Sequence, residues 1–275
     1  MPIKSILVAA SGGTASEGAV ELACRLAKQF DAHLEGYHVR FDPREALVIA
    51  SSGFGLPLAA PWMDEVTTKA EALANKMKAT FETAAARHGL ARTAWRDAVG
   101  NAAFLVSRRA RFFDLAILGR SDRVLEEPYS DTVEETILQS GRPVLLAPSR
   151  APAKMGERIA FGWNGSAQAV RALSTSLPLL AAAREVAIIT VGNKEQEVST
   201  LLDYLALHGI KAKHRSFPLI SGVGPGDLLL SGAREEGADL LIMGGYGHAP
   251  LREFLFGGAT REIVGVSLLP LLLSH

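Results

Sequence analysis

Three stretches from the first half of this chain return in its second half, in the same order. Ile-Leu-Val-Ala-Ala-Ser-Gly-Gly at Ile6 to Gly13 is echoed by Ile-Ala-Phe-Gly-Trp-Asn-Gly-Ser at Ile159 to Ser166. Asp-Leu-Ala-Ile-Leu-Gly-Arg from Asp114 is echoed by Asp-Leu-Leu-Ile-Met-Gly-Gly from Asp239, and Arg-Pro-Val-Leu-Leu from Arg142 by Leu-Pro-Leu-Leu-Leu from Leu269. The separations are 153, 125 and 127 residues. Chance would not keep the order, so the chain reads as a tandem duplication of one structural unit. At 275 residues it is long enough for two domains of ordinary size. The expected division is 1–150 and 157–275. The stretch from Arg150 to Gly156, with its proline, glycine and charge, suits a short exposed join.

Within the first copy, apolar runs alternate with helical spacing. Ile3 to Ala9 predicts a strand, Ser16 to Phe30 a helix with Ala19, Leu22, Ala23, Leu26 and Ala27 on one face, and His33 to Val39 a second strand. Strand, turn, helix, strand implies a right-handed crossover and a parallel sheet. Phe41 to Trp62, with three prolines, is expected to be an irregular connection whose Phe54, Leu56, Leu58 and Trp62 cover a pocket or pack on the other half. A helix over Asp64–His88 stopped by Gly89, a strand over Thr93–Asp97, a helix over Ala102–Arg111, a strand over Asp114–Leu118, a helix over Asp131–Ser140 and a strand over Pro143–Ala147 complete the unit. The predicted fold class is α/β, two tandem Rossmann-like domains, each a five-stranded parallel sheet with helices on both faces. The second copy lacks the proline-rich loop and passes from Val191 to its next helix through Gly-Asn-Lys-Glu. The apolar last strands, such as Pro270 to Leu273, need cover, which pairing between halves or between chains in a homodimer would provide.

The chemistry is concentrated between Asp239 and Thr260. Leu240 to Met243 predicts a buried parallel strand, and Gly244, Gly245 and Gly247 follow it at once, letting the backbone turn sharply and come close to a ligand. After the connector His248 to Phe256, Gly257 and Gly258 precede a helical pattern containing Ile263 and Val264. Free amides at a helix start make an anion site, most often for phosphate in an open α/β sheet.

The spacing of Gly244, Gly247, Gly257 and Gly258 resembles the nucleotide-binding signature of the universal stress protein (UspA) family in its tandem two-domain form. The resemblance implies an adenine nucleotide alpha hydrolase-like fold with strand order 3-2-1-4-5 in each half. It implies ATP or another adenine nucleotide, alone or with Mg, in the C-terminal half. Its implied contacts are Asn164, Gly165 and Ser166 after the half's first strand, Val191 and Gly192 after the second, and Gly244, Gly247, His248, Gly257, Gly258, Ala259 and Thr260 after the fourth. ATP-binding members carry Asp where Asn164 stands and Ser or Thr where Gly258 stands. Asn164 and Ser166 equally suit a turn and a helix cap, and the glycines equally suit tight strand-to-helix packing. His248, Arg252 and Arg261 are either phosphate contacts or solvated surface residues. In the first half only Gly119 survives, and Asp122, Glu126 and Glu127 would repel a triphosphate, so that half is expected to be structural.

Several function classes fall away. Lys plus Arg and Asp plus Glu each number 29, which leaves no footprint for nucleic acid. The scattered histidines show no metal-ligand spacing. Neither a signal-peptide pattern nor an apolar run near the roughly 20 residues of a membrane span is present, so a cytoplasmic protein is expected. Cys24 falls on the buried face of the first helix and reads as a core residue. With no P-loop lysine motif, strong phosphoryl transfer is not expected, and slow ATP hydrolysis is the most the motif allows. An adenylate-forming enzyme would need a histidine-rich or P-loop-like motif after the first strand, which is absent. A regulatory nucleotide-binding stress protein leads. Its rival is a nucleotide-independent interaction module with an empty crevice.

Overall fold

The structure, a computed structural model, describes residues 2–12, 15–42, 59–120, 129–245, 263–264 and 267–275. The first half runs β1 (Ser5–Ala9), α1 (Ala15–Phe30), β2 (His33–Arg40), α2 (Ala59–Arg87), β3 (Thr93–Val99), α3 (Ala102–Ala110), β4 (Leu115–Gly119), α4 (Tyr129–Gln139) and β5 (Val144–Ala147). The second runs β6 (Arg158–Gly162), α5 (Ala167–Ala182), β7 (Glu185–Val191), α6 (Glu195–Leu207), β8 (Ala212–Phe217), α7 (Pro225–Glu235), β9 (Leu240–Gly244) and β10 (Leu271–Ser274). The strands form one sheet in the order β3-β2-β1-β4-β5-β10-β9-β6-β7-β8. Each half is parallel in the order 3-2-1-4-5, as the resemblance implies.

The seam is antiparallel: Leu271, Leu272 and Leu273 of β10 pair with Leu146, Leu145 and Val144 of β5. These residues are buried, so the apolar last strands cover one another within the chain. Helices α1, α2, α5 and α6 pack on one face of the sheet, around residues such as Ile6, Val8, Phe161 and Ile188. Helices α3, α4 and α7, with Ile263 and Val264, pack on the other, around Leu7, Ala160, Leu241 and Leu273. Strands buried on both faces account for the unbroken apolar runs read from the sequence.

The repeated aspartates have a structural task. Asp114 accepts the Lys4 and Ser5 amides at 2.8 and 2.9 Å. Asp239 accepts those of Gly156, Glu157 and Arg158 at 2.7, 3.1 and 3.2 Å. In each half, the carboxylate that precedes the fourth strand thus pins the start of the first.

One expected boundary is corrected. Helix α2 begins at Ala59 rather than Asp64, so Trp62 belongs to a helix and not to the irregular connection. Pro61 lies in its first turn, where a missing N–H costs no intrahelical bond. Phe54, Leu56 and Leu58 lie outside the described residues. Among the described residues no helix is long and apolar enough to cross a membrane.

Candidate functional site

In the C-terminal half β6 lies between β7 and β9, with Gly162 opposite Ile189 on one side and Met243 on the other. The chain leaves β6 into α5 on one face of the sheet, and Ile263 and Val264, beyond β9, lie on the other. Adjacent strands whose continuations part to opposite faces leave a crevice between them at their carboxyl ends.

The turn after β6 builds one wall. Gly165 is left-handed at φ 77°, the Asn164 side-chain oxygen accepts the Ser166 amide at 3.0 Å, and Ser166 Oγ accepts the Ala169 amide at 3.2 Å as the N-cap of α5. The turn and cap roles open from the sequence are therefore occupied, with Asn164 exposed at the crevice. Above this turn stands a charged pair that the sequence reading passed over. A Cβ on Gly165 would lie 2.5 Å from Glu197 Oε2, while Glu197 Oε1 accepts Lys194 Nζ at 2.9 Å. The available signal was the i, i+3 pairing of opposite charges at the start of a helix that follows a short connector.

Val191 and Gly192 end β7. Val191 pairs with Phe217, and the left-handed Gly192 donates to Phe217 O at 2.9 Å and accepts from Ser216 Oγ at 3.2 Å. Their backbone is tied to β8, with the exposed Leu219 near Gly192.

At the end of β9, a Cβ on Gly244 would sit 2.6 Å from Ala169 N and 2.7 Å from Gln168 C. The first turn of α5 crosses the strand at that point, and only a bare backbone lets it through. Gly119 does the same in the first half, where a Cβ would meet Ala15 O at 2.5 Å. Tight strand-to-helix packing thus holds for the first glycine of the motif in both halves. Gly247, His248, Gly257, Gly258, Ala259 and Thr260 lie outside the described residues, as do Arg252, Arg261, Asp122, Glu126 and Glu127. The sites brought together are therefore Asn164, Gly165 and Ser166 beside Gly244, with Val191 and Gly192 on the next strand.

The corresponding place in the first half is furnished differently. Gly12, left-handed at φ 93°, donates to Ser16 Oγ at 2.9 Å, and a Cβ on it would lie 2.8 Å from the side chain of Leu73 in α2. The buried His38 puts Nδ1 2.5 Å from Ala10 O. Further out, Glu35 is 2% exposed and accepts Arg109 Nε and Nη2 at 2.7 Å each and Arg96 Nε at 3.2 Å. The hydrogen bonds it donates to Glu35, ahead of the counteracting burial, hold the Arg109 guanidinium's pKa above its ordinary range. This is a satisfied structural ion pair joining β2, β3 and α3. An open groove of about 740 Å³ runs between α1 and α2, lined by Glu17, Glu21, Lys76, Arg87 and Arg150. Among the described residues no group of three or more His, Cys, Asp or Glu side chains could hold a metal ion.

No protein-family model matches the sequence. Nor does any curated protein match it at a significant level. Solved structures do resemble it. The chain is similar to a universal stress protein from Archaeoglobus fulgidus DSM 4304, with a TM-score of 0.73 and 15% identity over 98% of this chain and 95% of that one. It is also similar to a functionally unknown protein from Pseudomonas aeruginosa PAO1, with a TM-score of 0.58 and 15% identity over 99% and 92% of the two chains. Along its whole length, then, the chain has the α/β fold of a universal stress protein.

Proposed function

We propose that the chain is a tandem universal stress protein, with residues 1–150 and 157–275 as its two copies. Its C-terminal half binds ATP or a related adenine nucleotide in a regulatory rather than strongly catalytic role. The observation that carries this reading is the divergence of α5 and of Ile263–Val264 to opposite faces from neighbouring strands. That divergence opens a crevice beside the end of β9, and such a crevice is where open α/β sheets take phosphorylated ligands. In the first half, Leu73 lies against the turn after β1, which supports a single nucleotide site per chain. Isothermal titration with ATP is expected to give one site, and Gly247→Asp to abolish nucleotide retention without unfolding the chain. Two equivalent sites, or an affinity untouched by Gly247→Asp, would refute the proposal.

One observation favours the rival, a nucleotide-independent interaction module. Asn164 and Ser166 spend their oxygens on the turn and the cap, and the Glu197 carboxylate stands over Gly165 where it would repel an anion. Mass spectrometry of small molecules released from the purified protein separates the two. An adenine nucleotide supports the first reading. No nucleotide, together with no thermal shift in millimolar ATP, supports the second.

A further inference from the structure

Arg120 follows Gly119 at the end of β4 and is 6% exposed. It reaches across the seam into the other half, where Nη1 donates to Val264 O at 3.2 Å and Nη2 donates to Ser267 O. Ile263 and Val264 are helical, and the Ser267 amide donates to Ile263 O at 2.9 Å, so the gripped carbonyls lie at the carboxyl end of a helical turn. Carbonyls there lack intrahelical donors and carry the negative end of the helix dipole. A guanidinium supplies both the donors and the opposing charge.

The duplication provides an internal control. By the repeat spacing, Gly119 and Arg120 correspond to Gly244 and Gly245, while Thr136, Ile137 and Ser140 correspond to Ile263, Val264 and Ser267. The helix ends match: Ser140 donates to Thr136 O at 3.1 Å, as Ser267 does to Ile263 O. Ser140 Oγ takes the Arg142 amide at 3.2 Å, as Ser267 Oγ takes that of Leu269 at 3.1 Å. Across the seam the symmetry breaks. Gly245 faces Ile137, with 3.7 Å between a hypothetical Cβ and Ile137 Cγ2, but has no side chain with which to grip. This cross-seam grip therefore runs from the first half to the second and is not returned.

We infer that Arg120 is a positioning residue through which the N-terminal half holds the segment behind the C-terminal nucleotide motif. Thr260, the last motif residue, stands three positions before Ile263 in sequence. The inference rests on the nucleotide reading for its effect on ligand, though not for the contact itself. Where the second half has the bare Gly245, the first half thus carries a side chain that reaches its partner copy.

The test uses the full chain with Arg120→Ala, Arg120→Lys and, as a control destabilised away from the seam, Phe81→Leu in α2. ATP affinity is read by titration and the Ser267 amide by hydrogen exchange. Arg120→Ala is expected to weaken ATP by roughly fivefold or more, the lower end of typical inter-site coupling, and to speed Ser267 exchange. Arg120→Lys should recover part of both, and Phe81→Leu should lower the melting temperature with affinity unchanged. Wild-type affinity in Arg120→Ala, or an equal loss in Phe81→Leu, would overturn the positioning role. If the wild-type chain takes up no ATP, the nucleotide reading fails by itself. Ser267 exchange then decides the grip, and unchanged exchange in Arg120→Ala overturns it.

Discussion

Replacing Gly244 with alanine tests whether the glycine is there for the helix or for a ligand. The added methyl would lie 2.6 Å from Ala169 N, 2.7 Å from Gln168 C and 2.9 Å from Gln168 Cβ. Two of the three are main-chain atoms, so no flexible side chain can swing aside. Either the first turn of α5 lifts off β9 or the strand end bends. Such overpacking costs about 1–3 kcal/mol. For a chain of this size each kcal/mol lowers the melting temperature by about 2–4 °C. Gly119→Ala should do the same, because its methyl would meet Ala15 O at 2.5 Å and Ala15 C at 2.7 Å. Thermal unfolding followed by circular dichroism, with urea titration as a check, measures both variants. A Gly244→Ala protein that melts with the wild type would refute the packing argument. One that lost nucleotide without losing stability would return the residue to ligand contact.

Truncating Arg109 to alanine should cost about 1–3 kcal/mol in urea unfolding, because it strips the bidentate partner from a buried carboxylate and leaves it only the longer bond from Arg96. Glu35→Leu combined with Arg109→Met should cost less than that single change; an equal or larger cost would contradict the account. Glu236, with a side chain 6% exposed, is held below the usual carboxylate range by its bonds from Lys213 and Arg215 against the opposing effect of burial. A lowered folded pKa means stability present above the ordinary glutamate value and lost as pH falls through the folded one. Glu236→Gln should therefore flatten the decline in urea midpoint below about pH 4.3, and an unchanged acid limb would show that the triad contributes nothing. The Cys24 thiol is fully buried, and burial, reinforced by Glu21 and opposed by Arg87, pushes its pKa up to about 12. It should resist iodoacetamide until the chain is unfolded, and rapid labelling of the native protein would refute that.

The strands were legible because the repeat kept Asp114 and Asp239, and the apolar runs behind them, in step, whereas their order in the sheet came only from the family resemblance. Those aspartates turn out to pin strand starts, a role that depends on amides some 80 to 110 residues away and leaves no local pattern. The start of α2 was hidden by Pro61, which breaks a helix in its interior but not in its first turn. At the candidate site the residue types around Asn164 and Gly244 stood out, but turn, cap and packing roles use the same types as ligand contact. Leu73 over Gly12, Arg109 beside Glu35 and Arg120 beneath Ser267 could not be read at all. Each is a meeting of side chain and distant chain made by the tertiary fold, with no periodicity to announce it.

The antiparallel seam between β5 and β10 turns the two layers end for end. Each crevice consequently opens on the rim where the other copy's strands begin. A large molecule approaching one rim meets one mouth and one blunt row of strand starts, and from the opposite side it meets the unlike mouth. The molecule is thus polar along its strands, with two chemically different poles, despite being made from one unit used twice.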